Sequence, residues 1–595
     1  MLRPKAHWFA YLLNLPSLLR SVPLMRLKAD SHYTIADYIE GQAARYADRP
    51  FILFEERTIS YREFNAMANR VAHWALSVGL RAGDAVGFMM TNRAEYVPVW
   101  SGLAKIGVKA ALINTNLKGQ SVLHALEGAD ATHLLVGAEC IGNLAGVASA
   151  LSGMAVHVIP EDGVDAIDLA GADDVGAALS RQPESNPDAE HREPVRTGDS
   201  AFYIYTSGTT GLPKAAKFNH QKLALFGMLG PLLGLRKGQV VYSTLPLYHG
   251  AGGVGAVMMA MGSGGVIAVA RRFSASTFWD DVRRYDATAF MYIGEMCRFL
   301  LRRPASADDG RHNLRFMFGN GLRADAWTAF QDRFRVPRVV EAYGATESNT
   351  GAINFAGKLG SVGKMIGGAI LLRYDIDKDE LILDENGHYE QCADGEVGEL
   401  VSRMPRDPNA LRGQFQGYTS AEATERKILR DVKHPGDAYM RSGDLLRRDA
   451  EGYFYFVDRI GDTFRWKGEN VSTQEVAEAL AGFPGVETVN VYGVEVPGHE
   501  GRAGMAAIAL EGGRKAAFDV HAFHELAVTK LPSYAVPVFL RLQSESEVTT
   551  TFKLTKVKLQ GEGYDPNATE DPIYVRDAEA RTYVRLHDRA AAYVR

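Results

Sequence analysis

One ten-residue run concentrates more reactive chemistry than any other part of the sequence: Tyr205-Thr206-Ser207-Gly208-Thr209-Thr210-Gly211-Leu212-Pro213-Lys214. Its glycines let the backbone fold tightly enough to aim N–H groups at an anion. The hydroxyls of Thr206, Ser207, Thr209 and Thr210 add donors, and Lys214 adds positive charge. Such a set suits a polyphosphate. It is not a Walker A loop, because the spacing is GxxGxxK and Ala215 follows the lysine where Ser or Thr is required. A second glycine run, Gly250-Ala251-Gly252-Gly253-Val254-Gly255, fits GxGxxG. The acid expected about 20 residues on is absent, and Arg271-Arg272 stands there instead, which argues against a nicotinamide site. There is no HExxH motif. Cys140, Cys297 and Cys392 lie far apart, which excludes a disulfide scaffold or a CxxC zinc site and fits a reducing compartment.

The polyphosphate run resembles the phosphate loop of the adenylate-forming superfamily of acyl-CoA synthetases, luciferases and adenylation domains. Three further motifs follow in family order. Tyr343-Gly344-Ala345-Thr346-Glu347 is similar to the adenine and magnesium motif, and Tyr439-Met440-Arg441-Ser442-Gly443-Asp444-Leu445 to the ribose motif. Val457-Asp458-Arg459-Ile460-Gly461-Asp462 is similar to the domain hinge. Three more specific runs, 458–472, Ala111–Leu117 and Phe318–Arg323, resemble the fatty acid transport protein and very-long-chain acyl-CoA synthetase branch.

The resemblance implies that a carboxylate attacks the α-phosphorus of ATP, and that fixed donors and cations meet the charge that builds on the phosphate oxygens. It assigns Thr206, Ser207, Gly208, Thr209, Thr210, Gly211 and Lys214 to the β and γ phosphates. Glu347 becomes a ligand to Mg²⁺, with Thr346 on a phosphate oxygen. Tyr343 and Gly344, with Gly319, Asn320 and Gly321, line the adenine. Asp444 and Arg459 take the ribose hydroxyls. His249 borders the acyl site. The family's C-terminal lysine is matched to Lys553, with Lys556 and Lys558 as alternatives in Thr551-Phe552-Lys553-Leu554-Thr555-Lys556-Val557-Lys558. Asp458 and Gly461 form the hinge, and Trp466, Lys467, Gly468 and Glu469 approach CoA in the second half-reaction.

These residues need elements to hold them. Helical periodicity over Thr34–Tyr46 and Tyr61–Val78 alternates with buried-strand patterns at Phe51–Phe54, Ala85–Met90, Ala110–Ile113 and Ala201–Tyr205. This alternation predicts mainly parallel sheets. Residues 161–199 read as a surface connection, 372–400 as antiparallel β structure, and Asp577–Arg595 as a charged helical tail. The uncharged run Gly238–Ala270 reads as buried core, a helix from Gly252 to Met261 and a strand from Val266 to Ala270, split by Gly262-Ser263-Gly264-Gly265. The expected fold is α/β: a large multi-subdomain N-terminal domain with mainly parallel sheets over residues 34–460, then a small mobile α+β domain over 461–595.

Residues 1–33 read either as a membrane-surface segment, with Trp8, Phe9, Tyr11 and leucines beside Arg3 and Lys5, or as an ordinary packed helix. The apolar stretch is too short to span a bilayer. Lys+Arg against Asp+Glu is 66 − 71 = −5, so there is no electrostatic case for nucleic acid. The sequons at Asn470 and Asn567 are read as chance. The expected activity is ATP-dependent ligation of a long-chain or very-long-chain fatty acid to CoA, in the cytoplasm or peripheral to the inner face of the cell membrane. A fatty acyl-AMP ligase serving a carrier protein, and an uptake protein with secondary ligase activity, are the alternatives.

Overall fold

A computed structural model describes residues 15, 19, 21–164, 172–206, 214–376, 378–467, 469–497, 499, 501–513, 515, 518–546, 556–577 and 579–586. They form two compact units. The first runs up to Gly367 and takes in Arg403–Arg430 and Asp437–Met440, and the second holds Gly368–Ser402, Asp431–Gly436 and the chain from Arg441 on.

The first unit contains two sheets. One orders its strands Ala172–Asp174, Ala155–Ile159, His133–Gly137, Ala85–Met89, Lys109–Leu112, Ser200–Thr206 and Lys214–Asn219, parallel except for the last pair. Ala85–Met89 is buried at every position, so both its faces are covered and its sequence does not alternate. The second sheet has a parallel interior of Pro50–Phe54, Val266–Val269, Val240–Ser243, Ala287–Ile293, Phe316–Asn320 and Val339–Tyr343, with antiparallel strands at both edges. Helix Tyr61–Ser77 starts on a capping box. Ser60 accepts the Glu63 N–H, and the Glu63 carboxylate accepts the Ser60 N–H at 2.7 Å.

The uncharged run is core, as its composition implies. Gly250–Ala256 is a π-helix leading into the α-helix Val257–Ser263, which Gly264 ends at a φ of 63°. The glycines that imitate a nucleotide motif answer to packing. A Cβ on Gly253 would sit 1.8 Å from the Leu247 carbonyl oxygen, and one on Gly252 would sit 2.5 Å from that of Pro246. Residues 161–199 are more than a connection, because Ala172–Asp174 extends the sheet and Gly176–Ser180 is helical.

In the second unit Ala369–Leu372 pairs antiparallel with residues 399–402, and residues 444–448 with Phe454–Arg459. The mixed sheet Val486–Glu495, Arg502–Leu510, Phe539–Gln543, Ile573–Asp577 and Thr582–Arg585 follows, with helices Thr473–Leu480 and Val520–Lys530. Its buried apolar cluster runs from Phe464 to Leu586. The tail expectation is corrected here: Thr582–Arg585 is a strand, because Tyr583 buries its ring and donates its hydroxyl to the Pro537 carbonyl at 2.8 Å. Tertiary burial of an aromatic outweighs the helix preference of its charged neighbours. No described helix is long and apolar enough to cross a membrane. Trp8, Phe9 and Tyr11 lie outside the described residues.

Candidate active site

The phosphate run begins and ends on paired strands. Thr206 closes one strand, Lys214 opens the next, and the two are register partners. Ser207, Gly208, Thr209, Thr210 and Gly211 lie outside the described residues. The outer strand of this hairpin gains a further partner: the Lys217 N–H donates to the Gly417 carbonyl, and the Thr419 N–H to that of Ala215. Tyr418 is thereby held beside the loop's exit.

Two parallel neighbours of the other sheet, Phe316–Asn320 and Val339–Tyr343, bring Gly319, Asn320 and Gly321 next to Tyr343 and Gly344 at their carboxyl ends. That is where open α/β sheets take ligands. Gly319 is obligatory, since a Cβ would meet the Tyr292 carbonyl oxygen at 2.0 Å, and Gly321 adopts a φ of 77°. Glu341 was not singled out in the sequence, and it braces this loop. Its buried carboxylate accepts from the Leu322 N–H at 3.2 Å and from the Tyr292 hydroxyl. Burial pushes its pKa up to about 8, against hydrogen bonds from Tyr292, Leu322 and Gly321 that lower it.

The sign of the pH dependence follows. Between about 4.5 and 8 the folded protein keeps a proton on Glu341 that the unfolded chain releases, so stability falls as pH rises through that window. Glu341→Gln removes this dependence. The variant is expected to gain on the wild type in thermal stability between pH 5 and pH 8, by an amount on the order of a few kcal/mol. An identical difference in melting temperature at both pH values would contradict the assignment.

Past Tyr343 the chain turns through Thr346 and Glu347. A Cβ on Gly250 would lie 3.6 Å from the Thr346 hydroxyl oxygen, an ordinary contact distance, so the Thr346 side chain lies beside the start of the glycine run. The Glu347 carboxylate accepts from the Tyr418 hydroxyl at 3.2 Å. Lys222, half-buried in helix His220–Phe226, donates to the carbonyls of Thr346 at 2.6 Å and Ser348 at 3.1 Å. Burial pushes the Lys222 pKa down to about 8, and Glu347 works against that shift. No group of three or more His, Cys, Asp or Glu able to hold a metal occurs among the described residues. One carboxylate and a hydroxyl nevertheless suit Mg²⁺, which takes hard oxygens and shares them with substrate phosphates and water.

His249 caps the π-helix, its Nδ1 accepting the Ala251 N–H at 3.3 Å. Buried Val254, Met258 and Met259 follow it.

In the second unit the antiparallel register sets Asp444 opposite Arg459, with Nε to Oδ1 at 3.7 Å. Gly443 takes a φ of 78° and Gly461 one of 90°, where a side chain would be strained. Glu399, 1% exposed, accepts from Arg441 at 2.6 to 3.1 Å and from the Gly443 N–H at 3.2 Å, fixing the strand just before Asp444. Asp458 accepts from the Thr473 N–H at 2.6 Å and from its hydroxyl at 3.0 Å, and burial raises its pKa despite Lys556. Lys556 donates to the Thr473 hydroxyl at 2.7 Å and pairs with Asp462 at 3.2 Å. Lys553 and Gly468 lie outside the described residues. Strand Phe464–Trp466 pairs with Glu469–Val471 across a turn in which Lys467 has a φ of 52°. Trp466 is 4% exposed and belongs to the C-terminal apolar cluster, its ring 5.4 Å from that of His499.

Parallel sheets whose carboxyl ends carry the Gly319–Gly321 loop and the Thr346–Glu347 turn define an α/β protein with a ligand crevice at those strand ends. The family model for AMP-binding enzymes matches residues 39–418, and that for the AMP-binding enzyme C-terminal domain matches 475–553. The chain belongs to the AMP-binding enzyme family. It is 39% identical to long-chain fatty acid transport protein 2 of Rattus norvegicus over 97% of this chain and 93% of that one. It is 38% identical to a medium/long-chain-fatty-acid–CoA ligase of Mycobacterium tuberculosis over 94% and 90%. The anthranilate CoA ligase AuaEII, solved with anthranoyl-AMP, shares the fold at a TM-score of 0.75 and 23% identity, covering 90% of this chain and 98% of that one.

Proposed function

We propose that this protein is an ATP-dependent long-chain fatty acid:CoA ligase. The observation that carries the reading is the convergence, within the first unit, of the adenine loop and the Thr346–Glu347 turn at neighbouring strand ends, in a chain related over nearly its full length to fatty-acid–CoA ligases and fatty acid transport proteins. The fatty acid carboxylate oxygen bonds to the α-phosphorus of ATP and pyrophosphate leaves. The CoA sulfur then bonds to the acyl carbon, AMP departs, and the thiol proton is released. Thr206, Lys214 and the hydroxyls between them hold the outer phosphates. Tyr343 and Gly319–Gly321 take adenine, while Asp444 and Arg459 take ribose. Glu347 would hold Mg²⁺, which when bound offsets phosphate charge, and Thr346 would meet a phosphate oxygen. The region from about Gly461 moves between half-reactions, presenting Lys553 in the first and the loop 466–469 in the second. Apolar residues after His249 wall the acyl chain. The protein works in the cytoplasm, peripheral to the inner face of the cell membrane, and draws fatty acid inward by converting it to its CoA ester.

Pyrophosphate exchange and thioester formation, measured across acids from acetate to very long chains, test the reading. Long-chain-dependent exchange with thioester product is expected. Exchange without thioester would point to a carrier-protein acceptor. Trapping has its own test. Glu347→Ala is expected to lower acyl-AMP formation by about 10²–10³-fold and to abolish uptake with it. Full uptake alongside lost synthesis would refute trapping.

A further inference from the structure

Lys222 is half-buried and turns its ammonium group inward onto the backbone. It sits in the first turn of helix His220–Phe226, where Asn219 accepts its N–H at 2.8 Å. Its ammonium group lies 4.7 Å from the centre of the Phe218 ring. Its two hydrogen-bond acceptors are backbone carbonyls, those of Thr346 and Ser348, rather than carboxylates. Even partial burial of a cation on neutral acceptors carries a desolvation cost, which the two hydrogen bonds offset by holding a particular piece of backbone. What it holds is the turn that flanks Glu347 on both sides. A single amine bound to residues 346 and 348 limits how the peptide units between them can rotate, and that rotation decides where the Thr346 hydroxyl and the Glu347 carboxylate point. Tyr418 restrains the same carboxylate through its hydroxyl, and Ser348 closes the turn by donating its hydroxyl to the Thr350 carbonyl at 2.8 Å.

We propose that Lys222 is a positioning residue of the nucleotide site, tying the Thr346–Ser348 backbone to helix His220–Phe226 so that Glu347 and Thr346 are aimed before the substrate arrives. The inference rests on the ATP-dependent reading given above. Its physical basis is that ligands held by surrounding hydrogen bonds need no reorganisation on binding, and loss of such support costs about 10–100-fold in metal affinity or activity.

The test uses the full-length protein and calorimetric affinities for AMP, for ATP without divalent ions, and for ATP with Mg²⁺. Lys222→Met keeps the side chain's bulk and removes its donors. It is expected to lose about tenfold or more of the tightening that Mg²⁺ gives to ATP binding. AMP and metal-free ATP affinities should stay within about twofold, since adenine and ribose contacts are untouched. Lys222→Arg, which can reach both carbonyls, should recover most of the Mg²⁺ effect. An unchanged Mg²⁺ effect in Lys222→Met overturns the proposal. So does an equal loss of affinity for all three ligands with a lowered melting temperature, which is the signature of a merely structural lysine. If Lys222→Met does not fold, Lys222→Gln is judged by the same criteria. Should the wild-type protein bind neither AMP nor ATP, the ligase reading itself falls, and this inference with it. Wild-type binding with an indifferent variant removes only the inference.

Discussion

Replacing Lys553 by alanine is expected to lower acyl-AMP formation by about 10²–10³-fold while sparing thioester formation from supplied acyl-AMP. The first half-reaction gathers negative charge, because a carboxylate approaches a triphosphate and the leaving pyrophosphate gains charge. A mobile ammonium group that reaches both would stabilise that arrangement more than it stabilises bound ATP. The second half-reaction brings a thiol to an acyl carbon and has little use for the same cation. Among the three candidate lysines, Lys556 is already engaged, donating to Thr473 and paired with Asp462 beside the hinge. Lys556→Ala should therefore affect both half-reactions similarly, through the hinge. Stopped-flow measurement of the two steps separates these cases. Equal losses in Lys553→Ala, or an asymmetric loss in Lys556→Ala, would reverse the assignment.

The second large effect concerns stability. Glu399 is 1% exposed and takes three contacts from Arg441. Removing only the cation leaves a buried carboxylate without compensation, which typically costs about 3–5 kcal/mol. Arg441→Met should lower the free energy of unfolding, measured by denaturant titration, by that much, and replacing Glu399 by leucine in the same chain should recover most of it. Because Glu399 also holds the Gly443 N–H, the single variant should weaken AMP binding through Asp444. A loss below about 1 kcal/mol would mean that the pair behaves as a surface salt bridge.

The residues proposed for the nucleotide site could be singled out because their motifs are local in sequence. Glycine, threonine and lysine within ten positions, or Tyr-Gly-Ala-Thr-Glu within five, state their chemistry without a fold. The strands around them were legible too, since Ala85–Met89 and Lys109–Leu112 are apolar runs bounded by turn signals. The supports escaped. Lys222 follows His220 and Gln221, and this polar run looks like a solvated helix start until the fold buries the first two and partly covers the third. Tyr418 reaches Glu347 across 71 positions of sequence, and Glu399 reaches Arg441 across 42. Glu341 did leave a signal, as a lone acid inside the strand Val339–Tyr343. The GxGxxG run shows the opposite error. Its letters match a ligand motif, while its glycines answer to the carbonyls of Pro246 and Leu247 behind them.

The apolar cluster of the C-terminal sheet draws all its described members from residues 464–586. During synthesis this stretch leaves the ribosome after the two large sheets, and it carries its own reason to collapse. Domains generally fold as units, those synthesised first folding first. The enzyme should thus acquire its two large sheets before the lysine proposed for the first reaction has been synthesised. A nascent chain with everything up to Met365 outside the ribosome would already contain both sheets and no capacity to adenylate. Premature acyl-AMP, a reactive anhydride, would then not form on a half-made protein.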